Sequence, residues 1–113
     1  MKKSISTFVL VLAIAIAFAQ DYAKLTAAFN ESYAKEKNAK YAEAASALKA
    51  LYDEKSYEMN LRLGWLTYLQ GQFSESMGYY SKAVNLMPYA IEPRLGIVLP
   101  ASAIGNWDLV VSH

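Results

Sequence analysis

The feature that most restricts how this chain can fold is a repeated spacing. Gly71-x-Phe73-x-x-Ser76-x-x-x-Tyr80-x-x-Ala83 has an earlier counterpart in Ala39-x-Tyr41-x-x-Ala44-x-x-x-Leu48-x-x-Leu51 and a shorter later one in Gly105-x-Trp107-x-x-Val110. The aromatics at 41, 73 and 107 are 32 and 34 residues apart. A second series accompanies the first: Leu63-Gly64 and Leu95-Gly96, again 32 apart. A period of roughly 20 to 50 residues is the mark of an array, in which no unit buries its apolar face alone and each must stack on its neighbours.

The units are helical. From Gln20 onward apolar residues recur at intervals of three and four rather than two, in a composition rich in Ala, Leu, Tyr, Lys and Glu, and no segment has the alternation of a strand. Lys37-Asn38, Gly71-Gln72, Pro88, Pro93 and Gly105-Asn106 punctuate the chain. They predict short helices over 22–36, 41–53, 57–70, 73–86, 92–103 and from 107 onward. Pro100 falls inside the fifth, where a proline removes a backbone donor at a cost of about 3 kcal/mol. A bent or broken helix is expected near 99–102.

On these residues, 57–90 resembles a tetratricopeptide repeat, a helix–turn–helix unit of about 34 residues. The matching positions are Leu63 and Gly64 in the first helix, Gly71 at the turn, Phe73, Ser76, Tyr80 and Ala83 along the second, and Pro88 at the close. Gly64, Ser76 and Ala83 are small enough to let the two helices approach closely, while Phe73 and Tyr80 are expected between neighbouring hairpins. The resemblance implies an all-α fold of antiparallel hairpins stacked as a short right-handed solenoid. It extends less strictly to a first unit of about 22–56, where Phe29-Asn30 stands in place of Leu-Gly, and to an incomplete third at 91–113.

Ahead of the array, Met1-Lys2-Lys3 leads into an unbroken apolar run from Phe8 to Ala19. Its twelve residues suit a secretory signal, whose apolar region is roughly 7–15 long, better than a bilayer span of about 20. Ala17-Phe18-Ala19 supplies the small residues a signal peptidase requires, so residues 1–19 read as a signal peptide cleaved after Ala19. Without Cys after the run, a lipid anchor is not available. The expected location is the periplasm or outside the cell, with membrane contact only during export.

Charge and composition exclude several chemistries. Eleven basic and ten acidic residues give +1, and removing Lys2 and Lys3 leaves 9 − 10 = −1. No cationic cluster exists to hold nucleic acid. Without cysteine there is no disulfide, thiolate metal site or thiol chemistry. The glycines form no phosphate-cradling loop, and the one histidine, His113, has no carboxylate nearby in sequence. Glu31, Glu36, Glu43, Glu54, Glu58, Glu75 and Glu92 read as a solvated face, partly paired along helices as Glu31 with Lys35 and Glu36 with Lys40. No catalytic residue, cofactor or metal is expected.

Nine tyrosines and two tryptophans exceed what a small helical core requires. Leu61, Trp65 and Tyr68 form one stripe at helical spacing, flanked by Glu58 and Leu69, while Leu63 and Thr67 face the other way. In tetratricopeptide proteins the stripe on each first helix lines a concave groove that receives a peptide or partner helix. The resemblance therefore makes Glu58, Leu61, Trp65, Tyr68 and Leu69 candidate contacts, with Arg62 at the margin. A Trp/Tyr stripe at helical spacing is more often buried against the adjacent hairpin than open to a ligand.

Trp107 to His113 begins a helix that needs more length to cover the preceding hairpin, leaving Leu109, Val110 and Val111 as an apolar edge. That edge suggests either a fragment of a longer repeat protein or a face that pairs with a partner or, by self-association through the C-terminal edge, with a second copy. The expected function is a non-catalytic protein-binding scaffold in the bacterial envelope or outside the cell. The alternative is a structural or docking piece of a larger envelope protein whose activity lies further along.

Overall fold

The hairpin turns show why the chain breaks where it does. The computed structural model describes the backbone of residues 2–113 and the side chains of residues 7–113, so the side chains of the basic start at Lys2 and Lys3 lie outside the described residues. Six helices follow one another: α1 Lys2–Lys37, α2 Tyr41–Lys49, α3 Tyr57–Leu69, α4 Phe73–Leu86, α5 Glu92–Ala103 and α6 Trp107–Ser112. There is no strand among the described residues.

Three of the five connections are the same structure. Ala39, Gly71 and Gly105 adopt positive φ of 59°, 77° and 74°, each two residues before the aromatic that opens the next helix. After each, an amide reaches back five residues: Lys40 N–H to Lys35 C=O at 2.8 Å, Gln72 to Thr67 at 2.9 Å and Asn106 to Ala101 at 2.9 Å. These bonds satisfy the carbonyls that a helix end orphans. Tyr41, Phe73 and Trp107 thus mark the start of each hairpin's second helix.

The hairpins pack in chain order, and α3 also touches α5. Ala28 of α1, Ala44, Ala45 and Leu48 of α2, and Leu63 and Leu66 of α3 form one buried cluster. Further along, Tyr80 and Ala83 of α4 and Ile97 and Ala101 of α5 are buried. Ser76 donates to the Gly64 carbonyl at 2.6 Å, tying α4 to α3 where both residues are small. The Tyr80 ring sits so close to Gly64 that a Cβ there would lie 2.8 Å from it, and a Cβ at Gly96 would meet it closer still. Tyr80 therefore fills the space between hairpins. Phe73 does not; it packs on Tyr68 of its own hairpin, ring centroids 5.8 Å apart.

Five further expectations need correction. The helix expected at 22–36 is the second half of α1, which runs 36 residues, about 54 Å, without a break at Ala19-Gln20. The helix expected over 41–53 ends at Lys49, because Asp53 accepts from the Lys55 amide through its side chain and from the Ser56 amide through its carbonyl. The buried Asn60 amide holds the carbonyls of Glu54 and Ser56, completing a turn that competes with helix. Leu51 consequently leaves the helix and stands 40% exposed. Third, α5 passes through Pro100 to Ala103. Pro100 lies in the last turn, where one donor is lost, and both it and Ala101 are fully buried, so packing holds the helix together.

Finally, Leu95-Gly96 is not the structural counterpart of Leu63-Gly64. The turns at Gly71 and Gly105 are 34 residues apart, which aligns Leu63 with Ile97, both fully buried, whereas Leu95 is 64% exposed. The expected pairs Glu31 with Lys35 and Glu36 with Lys40 are also absent among the described residues. Lys35 instead reaches Glu43 at 3.2 Å and Glu36 takes Arg62 at 2.9 Å, each bridging two helices.

Candidate functional site

The first helices of the three hairpins present matching positions to one concavity. With turns 32 and then 34 residues apart, Phe29, Leu61 and Leu95 occupy one equivalent position, and Tyr33, Trp65 and Leu99 the position one helical turn on. All six line a single groove of about 850 Å³, together with Leu25, the polar side chains of Ser56, Glu58, Arg62 and Glu92, Gly96, and Tyr80 at its floor. This size falls within the range of ligand pockets, roughly 300–1,000 Å³. Leu95, Leu99 and Trp65 keep 64%, 41% and 37% of their surface exposed.

Of the five residues singled out from sequence, Glu58, Leu61 and Trp65 line the groove. Tyr68 and Leu69 do not. Tyr68 is half-buried between Trp65 and Phe73, with ring centroids 5.9 and 5.8 Å away, and it braces the Trp65 indole from behind. The Trp65 indole N–H donates to Glu36 of α1, which leaves its ring flanking the groove.

Arg62 is central rather than marginal. Its Nε donates to the buried Ser32 hydroxyl at 3.1 Å, its Nη2 to Glu36 at 2.9 Å, and its guanidinium lies 3.9 Å from the centroid of the Tyr33 ring. Only 9% of its side chain is exposed. These bonds lock α1 to α3 and fix the groove's width. Sequence reading missed the α1 and α5 walls because it followed one helix at a time. The signal was there in the 34-residue relation of Glu58 to Glu92, Leu61 to Leu95 and Trp65 to Leu99.

The acidic end of the groove differs from the rest. Glu58 and Glu92 are exposed carboxylates, and neither is in an ion pair among the described residues. Burial, then Glu92, then Glu58 raise the Tyr57 phenol above its ordinary value. Burial foremost, with Glu92 assisting, pushes the Tyr80 phenol up strongly, so it is a neutral hydroxyl at physiological pH. The arrangement suits binding: apolar walls, a polar end, and side chains held by hydrogen bonds from behind.

No protein-family model matches the chain, and no curated protein is significantly similar to it.

Proposed function

We propose that this chain is a tetratricopeptide-like scaffold that holds a peptide or partner segment in the groove between α1, α3 and α5. The observation that carries this reading is the pair of equivalent rows, Phe29-Leu61-Leu95 and Tyr33-Trp65-Leu99, aimed at one concavity from three successive hairpins. Exposed leucines are costly to leave in water, and their convergence is what a partner's apolar face would cover. The stacked right-handed solenoid of the resemblance is the architecture that brings such positions into register.

The scaffold acts after export. Phe8–Ala19 is apolar and none of it is buried, and among the described residues the first buried one of α1 is Ala28. Cleavage after Ala19 therefore removes no core contact and leaves 20–37 to pack on α2. Intact-mass analysis of the protein recovered from an exporting bacterium should show a chain beginning at Gln20; a chain retaining residues 1–19 would overturn the processing.

Binding is tested by site-specific photocrosslinking in that same host. A photoreactive residue at Leu95 should give discrete adducts, while one at Ser74, exposed on α4 outside the groove, should not. Equal adducts from both positions, or none from Leu95, would refute the groove.

A further inference from the structure

The chemistry at one end of the groove restricts what the apolar walls can accept. Glu58 and Glu92 occupy equivalent positions on α3 and α5 and both line the groove. Each sits in the first turn of its helix, and α3 and α5 touch, so both carboxylates stand on the same side of the groove. The single cation in the lining, Arg62, is already committed to Glu36 and Ser32 on the α1 side. The groove thus carries two carboxylates outside any ion pair among the described residues, while its one cation is spent on Glu36.

Tyr80 shares the groove lining with the two acids. It is 3% exposed, and its hydroxyl has no hydrogen-bond partner among the described residues. No sealed side-chain oxygen lacks a partner among the described residues, so this hydroxyl opens to the groove, where it is available as donor and acceptor to an occupant. A carboxylate ligand would meet two like charges here. A wholly apolar ligand would cover Glu58 and Glu92 without replacing their water, which is unfavourable.

We infer that the groove's occupant is an apolar peptide segment carrying a lysine or arginine, whose cationic head sits between Glu58 and Glu92 above the Tyr80 hydroxyl. Leucine-type side chains of the segment lie on Phe29, Leu61, Leu95, Trp65 and Leu99. The charge-assisted bonds set orientation, and the apolar rows supply most of the contact area. This rests on the reading of the groove as a binding site, and it adds the sign of the partner's charge.

The test uses three fluorescent Leu/Ala helical peptides of about 15 residues, long enough to be helical. They are identical except for Lys, Gln or Glu at two positions on adjacent turns. Anisotropy titrations against the protein as recovered from the exporting host should show the Lys peptide binding roughly tenfold more tightly than the Gln peptide, with the Glu peptide weakest. The double variant Glu58→Gln/Glu92→Gln should erase the difference. Removing the same charge at the exposed, non-lining Glu31 and Glu54, as Glu31→Gln/Glu54→Gln, should preserve it. Equal affinity for Lys and Gln peptides, or a preference that survives Glu58→Gln/Glu92→Gln, would overturn the charge inference while leaving the groove intact. Failure of all three peptides to bind the folded protein would overturn the groove reading itself.

Discussion

Gly96 of α5 faces the Tyr80 ring of α4 so closely that a Cβ at that position could not be accommodated without displacing the ring. Gly64 of α3 stands in the same relation to the other part of the ring, at 2.8 Å from an added Cβ. One buried tyrosine is thereby clasped by two hairpins. The groove floor and the stacking of the second unit on the third depend on the same contact.

Alanine at either glycine should destabilise the protein by about 1–3 kcal/mol, the usual cost of overpacking. The helical Gly78, with open space where its Cβ would be, provides the contrast. Gly78→Ala should stabilise by about 0.5–1 kcal/mol, because an exposed glycine only weakens a helix interior. Thermal melts of the three variants check the signs; a stabilising Gly96→Ala would mean the ring does not sit there.

Ala39 occupies the left-handed turn position that Gly71 and Gly105 fill in the other hairpins. A Cβ in that conformation costs roughly 1–2 kcal/mol, and glycine carries no such penalty. Ala39→Gly should raise stability by about 1 kcal/mol, several degrees in melting temperature for a domain of this size. Gly71→Ala should lower it by a similar amount, as read from parallel urea titrations.

Arg62→Ala removes the bonds to Ser32 and Glu36 and strands a fully buried hydroxyl. A loss of about 2–4 kcal/mol is expected. Arg62→Lys should recover little, since a tetrahedral ammonium lacks the planar fork that donates through Nε to Ser32 and through Nη2 to Glu36 while its face covers the Tyr33 ring. Chemical denaturation of both variants measures this, and a near-neutral Arg62→Lys would show that charge alone holds α1 to α3.

Alkaline pH should loosen the fold through Tyr80. Burial and the Glu92 carboxylate raise its phenol above the ordinary value of 10.0, so folding favours the protonated form. The associated stability is fully present below pH 10, where both states are protonated, and declines as pH rises beyond that because the unfolded chain ionises first. Tyr57 and Tyr79 are raised as well and contribute in the same direction. Melting temperatures between about pH 8 and 11 should fall above 10, and Tyr80→Phe should flatten that fall.

Much of this architecture could be read from the chain because turn chemistry is local. Gly71 and Gly105 announce left-handed caps, and the aromatics two residues on open α4 and α6 in the structure as expected. What escaped the sequence depends on distant partners. Leu95-Gly96 imitates Leu63-Gly64 in letters, but the longer second interval rotates it onto the groove face and puts Ile97 in the core. The end of α2 is set by Asn60, seven residues beyond Asp53, and Arg62 owes its role to Ser32 and Glu36, 30 and 26 residues earlier. Of the groove, the α3 wall was legible through Glu58, Leu61 and Trp65. Tyr68 shares their stripe but is drawn against Phe73, and the α1 and α5 walls required knowing that three helices share one side.

The most direct test of the groove as the binding surface uses Trp65 as its reporter. Trp107→Phe leaves Trp65, which lines the groove, as the only indole. Titration with the lysine-bearing Leu/Ala peptide should shift Trp65 emission to shorter wavelength and saturate with the same midpoint as anisotropy, because the peptide displaces water from the ring. Binding that leaves Trp65 emission unchanged would place the peptide elsewhere and contradict the account.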